Sequence, residues 1–159
     1  MNKAFVCAES IPMPDWAGPL KSYALKALER LGKDKWDLSI ALCDDGAIAA
    51  LNSAYRGKAE ATDVLSFSLG EGEAFPEKII SGRSRRLPGD IVISLDSMRE
   101  NARRFKISED EELRRLVIHG ILHLDGMDHA TNNDTEPMLR LQEQILTDLT
   151  ESHIIGGVP

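Results

Sequence analysis

The apolar positions of the chain change period several times from one end to the other. Lys3 to Cys7 is a short, mostly apolar run that predicts a first strand. From Asp15 onward, Trp16, Leu20, Ala24, Leu25, Leu28 and Leu31 recur at helical spacing and stop at Gly32, the pattern of an amphipathic helix. "WDLSIALCD" then alternates, with Trp36, Leu38, Ile40 and Leu42 on one face of a predicted strand. Asp44 or Asp45 can cap a short helix through Ala47, Ile48, Leu51 and Tyr55 that ends near Gly57. "TDVLSFSL" and "DIVISL" read as two more strands, separated by the twenty-residue stretch "GEGEAFPEKIISGRSRRLPG". Loops of that length are uncommon inside compact domains and are usually functional or mobile.

Three helices close the chain. The first is predicted from Asp96 to Phe105. Ser108 and Glu111 form a capping box that opens the second, whose apolar face is Leu113, Leu116, Val117, Ile121 and Leu124. The third runs from about Thr135 to Leu149. The order β-α-β-α-β-β-α-α-α predicts an α+β fold in which a small mixed sheet of about four strands is packed with helices. No internal repeat breaks the 159 residues, so the expectation is a single domain over 1–159 with 153–159 as a flexible tail and His153 an ordinary surface residue.

Composition narrows the function classes. No stretch approaches the roughly 20 apolar residues of a membrane span, and the first residues lack the apolar core of a secretory signal. A cytoplasmic protein without a membrane partner is expected. Cys7 and Cys43 lie in apolar runs and are too few for a disulfide framework, so both are expected to be structural. The net charge of -7 is unevenly placed: residues 116 to 159 carry one basic side chain, Arg140, against seven acidic ones. Eight of the eleven arginines fall between Arg83 and Arg115, which leaves room for basic patches or for ion pairs with Glu100 and the acids at 109 to 112.

Against this ordinary background, "HGILHLDGMDH" holds three of the four histidines, His119, His123 and His129. His119 and His123 are four apart on a predicted helix and stand one turn apart on one face, about 5–6 Å between Cβ atoms. Gly126 can end that helix and turn the chain back, so that His129 approaches the same point from another side. Three neutral imidazoles with a fourth position open are a catalytic zinc arrangement, whereas magnesium and manganese prefer carboxylate-rich sets. The spacing is that of the zinc proteases, yet Gly120 stands where those enzymes carry their glutamate base. Without that carboxylate a peptidase loses its proton acceptor, and an anionic phosphodiester is better tolerated.

Residues 119 to 129 match, at every fixed position, the pattern H-G-x-L-H-L-x-G-x-D-H, and on it the chain resembles the YbeY family of bacterial metal-dependent endoribonucleases. "LNSAYRGK", "TDVLSF" and "GDIVIS" agree as well and in the family's order; Glu60 and Ala61 stand where the family often has an acidic residue and a proline. The resemblance implies one zinc ion on His119, His123 and His129, and a fold related to the metalloprotease zinc helix. It implies action on single-stranded RNA rather than DNA, in maturation of ribosomal RNA including the 3′ end of the small-subunit RNA, and in ribosome quality control. The small ribosomal subunit and ribosome-associated proteins would then be the partners. It also marks Arg56 as the family's important arginine, suited to a phosphate because a guanidinium offers paired donors.

Asp128 adjoins a ligand and is expected to orient an imidazole or accept a proton from water. Thr62, Asp63 and Ser66 are expected to turn or cap the chain, and Trp16, Trp36 and Phe67 to lie in the core. The reading is a zinc-dependent endoribonuclease. A zinc peptidase or other metallohydrolase, and a non-catalytic ribosome-assembly factor using the Arg83 to Arg115 region, are the alternatives.

Overall fold

A computed structural model describes residues 1–68 and 88–156. The long stretch before "DIVISL", with the basic run 83 to 86, falls almost wholly outside the described residues. Nine elements follow the predicted order. They are β1 (Lys3–Ala8), α1 (Ala17–Arg30), β2 (Asp37–Cys43), α2 (Asp45–Arg56), β3 (Val64–Ser68), β4 (Pro88–Ser94), α3 (Leu95–Phe105), α4 (Glu109–Leu124) and α5 (Pro137–Asp148).

The four strands lie in the order β1-β2-β4-β3. β1 and β2 run parallel, with Val6 opposite Ile40, as do β2 and β4, with Ile40 opposite Ile91. β3 closes the other edge antiparallel to β4, with Ser66 opposite Ile91. Ile91 therefore sits mid-sheet, between β2 and β3.

Leu38, Ile40 and Leu42 face the main core together with Leu20 and Leu28 of α1, Leu113 and Val117 of α4, and Met138 and Ile145 of α5. The alternation in β2 captured only this face. Ala41 and Cys43 on the other face are buried as well, against Ile48 of α2, Val92 and Phe67. Small residues carry no strong periodic signal, which is why the second layer was not legible. α4 lies at the centre of the fold; beyond the predicted stripe it buries Ile118, Gly120 and Leu122. A helix apolar on nearly every side belongs in a core.

Caps fix the ends. Asp44 accepts from the Ala47 N–H at 2.8 Å, Ser94 caps α3, and Ser108 accepts from the Glu111 N–H at 3.0 Å. The Glu111 carboxylate turns instead to Arg115.

The C-terminal segment departs from expectation. Asp110 accepts from the backbone N–H groups of Ile154 and Ile155 at 2.6 and 2.8 Å and pairs with His153 at 3.0 Å. Ile154 is 2% exposed and belongs to the main core. The predicted tail is thus tied down as far as Ile155, because burial of two isoleucines outweighs the entropy of a free end, and His153 is a partner of Asp110. Cys7 and Cys43 are free thiols; burial pushes them up to about 11 and about 12, so both remain protonated.

Candidate metal centre

α4 and the turn after it build the cluster. The helix ends in a Schellman turn: the Met127 N–H donates to the Leu122 carbonyl and the Gly126 N–H to the His123 carbonyl, both at 3.0 Å. Gly126 takes φ +90°, a conformation closed to most side chains, and Met127 packs on the main core. The chain reverses within three residues and returns His129 toward the helix. The three rings stand with centroids 4.6 Å apart for His119 and His123, 5.3 Å for His119 and His129, and 5.8 Å for His123 and His129. One nitrogen from each lies within 4.8 Å of the others, a group able to hold a metal ion.

Hydrogen bonds decide which nitrogens converge. His119 Nδ1 meets Gln142 Oε1 at 2.6 Å, His123 Nδ1 meets the Met127 carbonyl at 3.0 Å, and His129 Nδ1 meets the Thr131 carbonyl at 2.9 Å. Each partner is an acceptor, so each Nδ1 carries the proton and each Nε2 keeps its lone pair. His119 Nε2 and His123 Nε2 are 3.1 Å apart. Two nitrogens bound about 2.0–2.1 Å from a tetrahedral ion lie roughly 3.3 Å apart, so the pair fits one shared cation. Burial holds His119 and His123 below the usual histidine range, more than their Gln142 and Met127 partners raise them, which keeps both neutral. Neutral imidazoles are the ligating form.

Gln142 was not legible as part of this site, although a signal exists. Met138, Gln142, Ile145 and Leu146 form the buried face of α5, so an amide stands where the pattern calls for an apolar residue. Its own orientation is fixed by Glu143, which accepts from Gln142 Nε2 at 3.1 Å. Arg115 donates to both Glu143 oxygens at 2.8 and 3.0 Å and holds that carboxyl below its usual range.

Of the two roles expected of Asp128, orienting an imidazole falls to other groups. Its Oδ1 accepts from the His129 backbone N–H at 2.8 Å, and the imidazoles are oriented by Gln142, Met127 and Thr131 instead. It shapes the turn that carries His129, and its charge raises His123 against the effect of burial.

Gly120 needs a new explanation too. A Cβ there would come within 2.8–2.9 Å of three side-chain atoms of Ile91, and its carbonyl accepts from Ser66 Oγ at 3.2 Å. The glycine lets α4 press onto the middle of the sheet. Close packing rather than tolerance of an anion accounts for it, and it leaves no room beside the histidines for a protease-type glutamate.

Arg56 ends α2. Its Nη2 donates to the Ser66 carbonyl at 2.7 Å, and its guanidinium carbon lies 4.9 Å from the centre of the Phe67 ring. A hollow of about 320 Å³ is lined by Arg56, Ser66, Ser68 and His123, so Arg56 opens onto the same depression as one of the histidines. Asn101 Nδ2 donates to Asp63 and to Glu112 at 2.9 and 3.0 Å, and Ser66 Oγ donates to the Gly120 carbonyl. Trp16 and Trp36 pack at the edge of the main core and Phe67 is fully buried.

The described part of the arginine-rich region is mostly neutralised. Arg99 pairs with Asp96 and Glu109, Arg103 with Glu100, Arg114 with Asp110, and Arg115 with Glu111 and Glu143. That pattern gives little support to an RNA-binding face built from this region alone. No helix among the described residues is long and apolar enough to cross a membrane.

Comparisons with known proteins give the chain a family. A family model described as Endoribonuclease YbeY matches residues 13–150. The protein named Endoribonuclease YbeY in Treponema pallidum (strain Nichols) is 45% identical over 146 residues, spanning 92% of this chain and 89% of that protein. Its namesake in Treponema denticola is 46% identical over 127 residues, spanning 80% and 79%. That of Borreliella burgdorferi (strain ATCC 35210) is 41% identical over 127 residues, spanning 79% and 82%. A solution structure of a Thermotoga maritima protein superposes with a TM-score of 0.61 at 27% identity, covering 92% of this chain and 88% of that one.

Proposed function

The chain belongs to the YbeY endoribonuclease family, and on that premise we propose that it is a zinc-dependent, single-strand-specific endoribonuclease that matures ribosomal RNA at the small ribosomal subunit. The observation that carries the metal dependence is the set of three Nδ1 contacts. They orient three bare Nε2 atoms on one point while the helix and the turn supply them from two directions. Nitrogen donors without a carboxylate favour zinc over magnesium or manganese. His119, His123 and His129 would hold the ion, which would supply Lewis acidity toward a phosphoryl oxygen and a water molecule.

The remaining roles fall to the chain itself. Arg56, steadied by the Ser66 carbonyl and the Phe67 ring, holds a non-bridging phosphate oxygen of the scissile linkage above the hollow it shares with His123. Asp128 holds the turn that delivers His129. The small-subunit RNA end, a role in ribosome quality control and association with ribosomal proteins come with the family assignment. A peptidase is disfavoured by Gly120, whose packing on Ile91 shuts out the base such an enzyme needs.

The test joins metal analysis of the purified protein to cleavage of a single-stranded RNA by wild type, His123→Ala and Arg56→Ala. Expected are about one zinc per wild-type chain, loss of both zinc and cleavage in His123→Ala, and at least a 100-fold loss of cleavage with zinc retained in Arg56→Ala, the scale of one lost transition-state contact. Equal cleavage by all three preparations would mark a contaminating nuclease and sink the assignment.

A further inference from the structure

Beside His119 and His129 lies more space than one phosphate requires. A cleft of about 790 Å³ is lined by His119 and His129 and also by Arg104 and Phe105 at the end of α3. Sites of roughly 300–1,000 Å³ accept small organic groups. The described residues expose four large hydrophobic side chains, Met1, Met13, Tyr55 and Phe105. Phe105, 59% exposed, is the one of these that lines the cleft with the histidines. Val64, Ile107, Leu116 and Leu139 add further apolar wall.

The charges of the cleft favour a neutral occupant. Arg115 is consumed by Glu111, Glu112 and Glu143, and Asn101 bridges the Asp63 and Glu112 carboxyls. Glu112 is pushed above the usual carboxylate range by burial. Apart from Arg104, no surplus positive charge lies in this lining, so the scissile phosphate is better served on the Arg56 side. Two features suit a flat, polar-edged ring beside a phosphate. The Asn132 side-chain amide and the exposed guanidinium of Arg104 both line the cleft, Arg104 also lying close enough to Glu100 to lower that carboxyl.

We infer that this cleft is a nucleobase subsite, which takes one unpaired base adjoining the scissile phosphate, stacks it on Phe105 and presents Arg104 to the next phosphate. The inference rests on the ribonuclease reading and deepens it. A base in a duplex is already stacked and paired, so it cannot enter the cleft while its phosphate lies at the histidines. Single-strand specificity then follows from the shape of the site, because aromatic stacking rewards any exposed base face.

Steady-state cleavage of a short single-stranded oligoribonucleotide by zinc-loaded wild type, Phe105→Ala and Phe105→Tyr tests it, together with the same RNA carrying one abasic position moved stepwise past the cut. Phe105→Ala is expected to raise KM by roughly 5- to 100-fold, the range of one lost stacked base, with zinc content unchanged and Phe105→Tyr near wild type. One abasic position flanking the cut should raise KM comparably in wild type and have little further effect in Phe105→Ala. A wild-type KM for Phe105→Ala, or abasic penalties of equal size in both proteins, would overturn the subsite while leaving the ribonuclease intact. Failure of wild type to cleave any RNA would remove the ribonuclease reading itself, before any variant is compared.

Discussion

The proton of His119 is placed by residues on another helix. Glu143, ionised beside Arg115, can only accept, so the Gln142 amide nitrogen faces it and the amide oxygen faces His119 Nδ1. The tautomer that leaves His119 Nε2 bare is therefore set by a relay from Arg115 through Glu143 and Gln142. Replacing Gln142 with leucine keeps much of the buried volume but removes the acceptor, leaving the imidazole free to rotate or to carry its proton on Nε2. Zinc affinity is expected to fall about 10- to 100-fold, the usual cost of losing such a partner. Competition with a chromophoric chelator measures it, and circular dichroism verifies the fold. Affinity equal to wild type would show that the Gln142 contact does not position His119. Cleavage should fall in parallel at limiting zinc and recover when zinc is raised, which separates positioning from direct participation in the reaction.

At the level of elements, α4 joins everything: it carries two of the three clustered histidines, presses its glycine onto Ile91, and through Asp110 in its first turn anchors the end of the chain. Burial would raise the Asp110 carboxyl, but hydrogen bonds from Ile155, His153 and Ile154, and the Arg114 guanidinium, hold it below the ordinary carboxylate range. A carboxyl lowered by folding adds stability that is full above its unfolded value, near pH 4, and is lost as pH falls through the lowered folded value. Asp110→Asn is accordingly expected to cost about 1.5–3 kcal/mol near neutral pH, the range for hydrogen bonds to a charged group, with the gap to wild type narrowing below about pH 4. Thermal melts of both proteins at pH 7 and pH 3 measure it; a gap independent of pH would mean that packing of Ile154, not the carboxylate, holds the segment. The same helix shows what could be read in advance and what could not. Its start at Ser108, its end at Gly126 and the shared face of His119 and His123 are local, written in caps and spacing within a few residues. The reason for Gly120, the partner of His119 and the anchoring of Ile154 each join residues more than twenty positions apart. Such pairings depend on how elements pack, and no period in the sequence encodes them. The small residues of β2 fall in the same class, since Ala41 and Cys43 reveal a buried face only once α2 lies across them.

Across the whole molecule, zinc would join pieces that the fold otherwise holds by separate means. α4 supplies His119 and His123, the loop beyond Gly126 supplies His129, and α5 reaches the site through Gln142. In the unfolded chain these residues have no fixed arrangement, so a metal that binds the native cluster far better stabilises the folded state by mass action. At free zinc about 100-fold above its dissociation constant the gain is roughly 2.7 kcal/mol. For a chain of this length each kcal/mol moves the midpoint by about 2–4 °C, so chelation should lower Tm by roughly 5–10 °C. His123→Ala controls for effects of the chelator elsewhere, because it removes a ligand that is half-buried at the surface of the main core rather than inside it. Its melt should be insensitive to both zinc and chelator and lie close to that of the chelated wild type. Calorimetry over a zinc titration makes the comparison quantitative, since Tm should keep rising with the logarithm of free zinc once the site is filled. An equal response in His123→Ala would place the stabilising ion somewhere other than the three histidines.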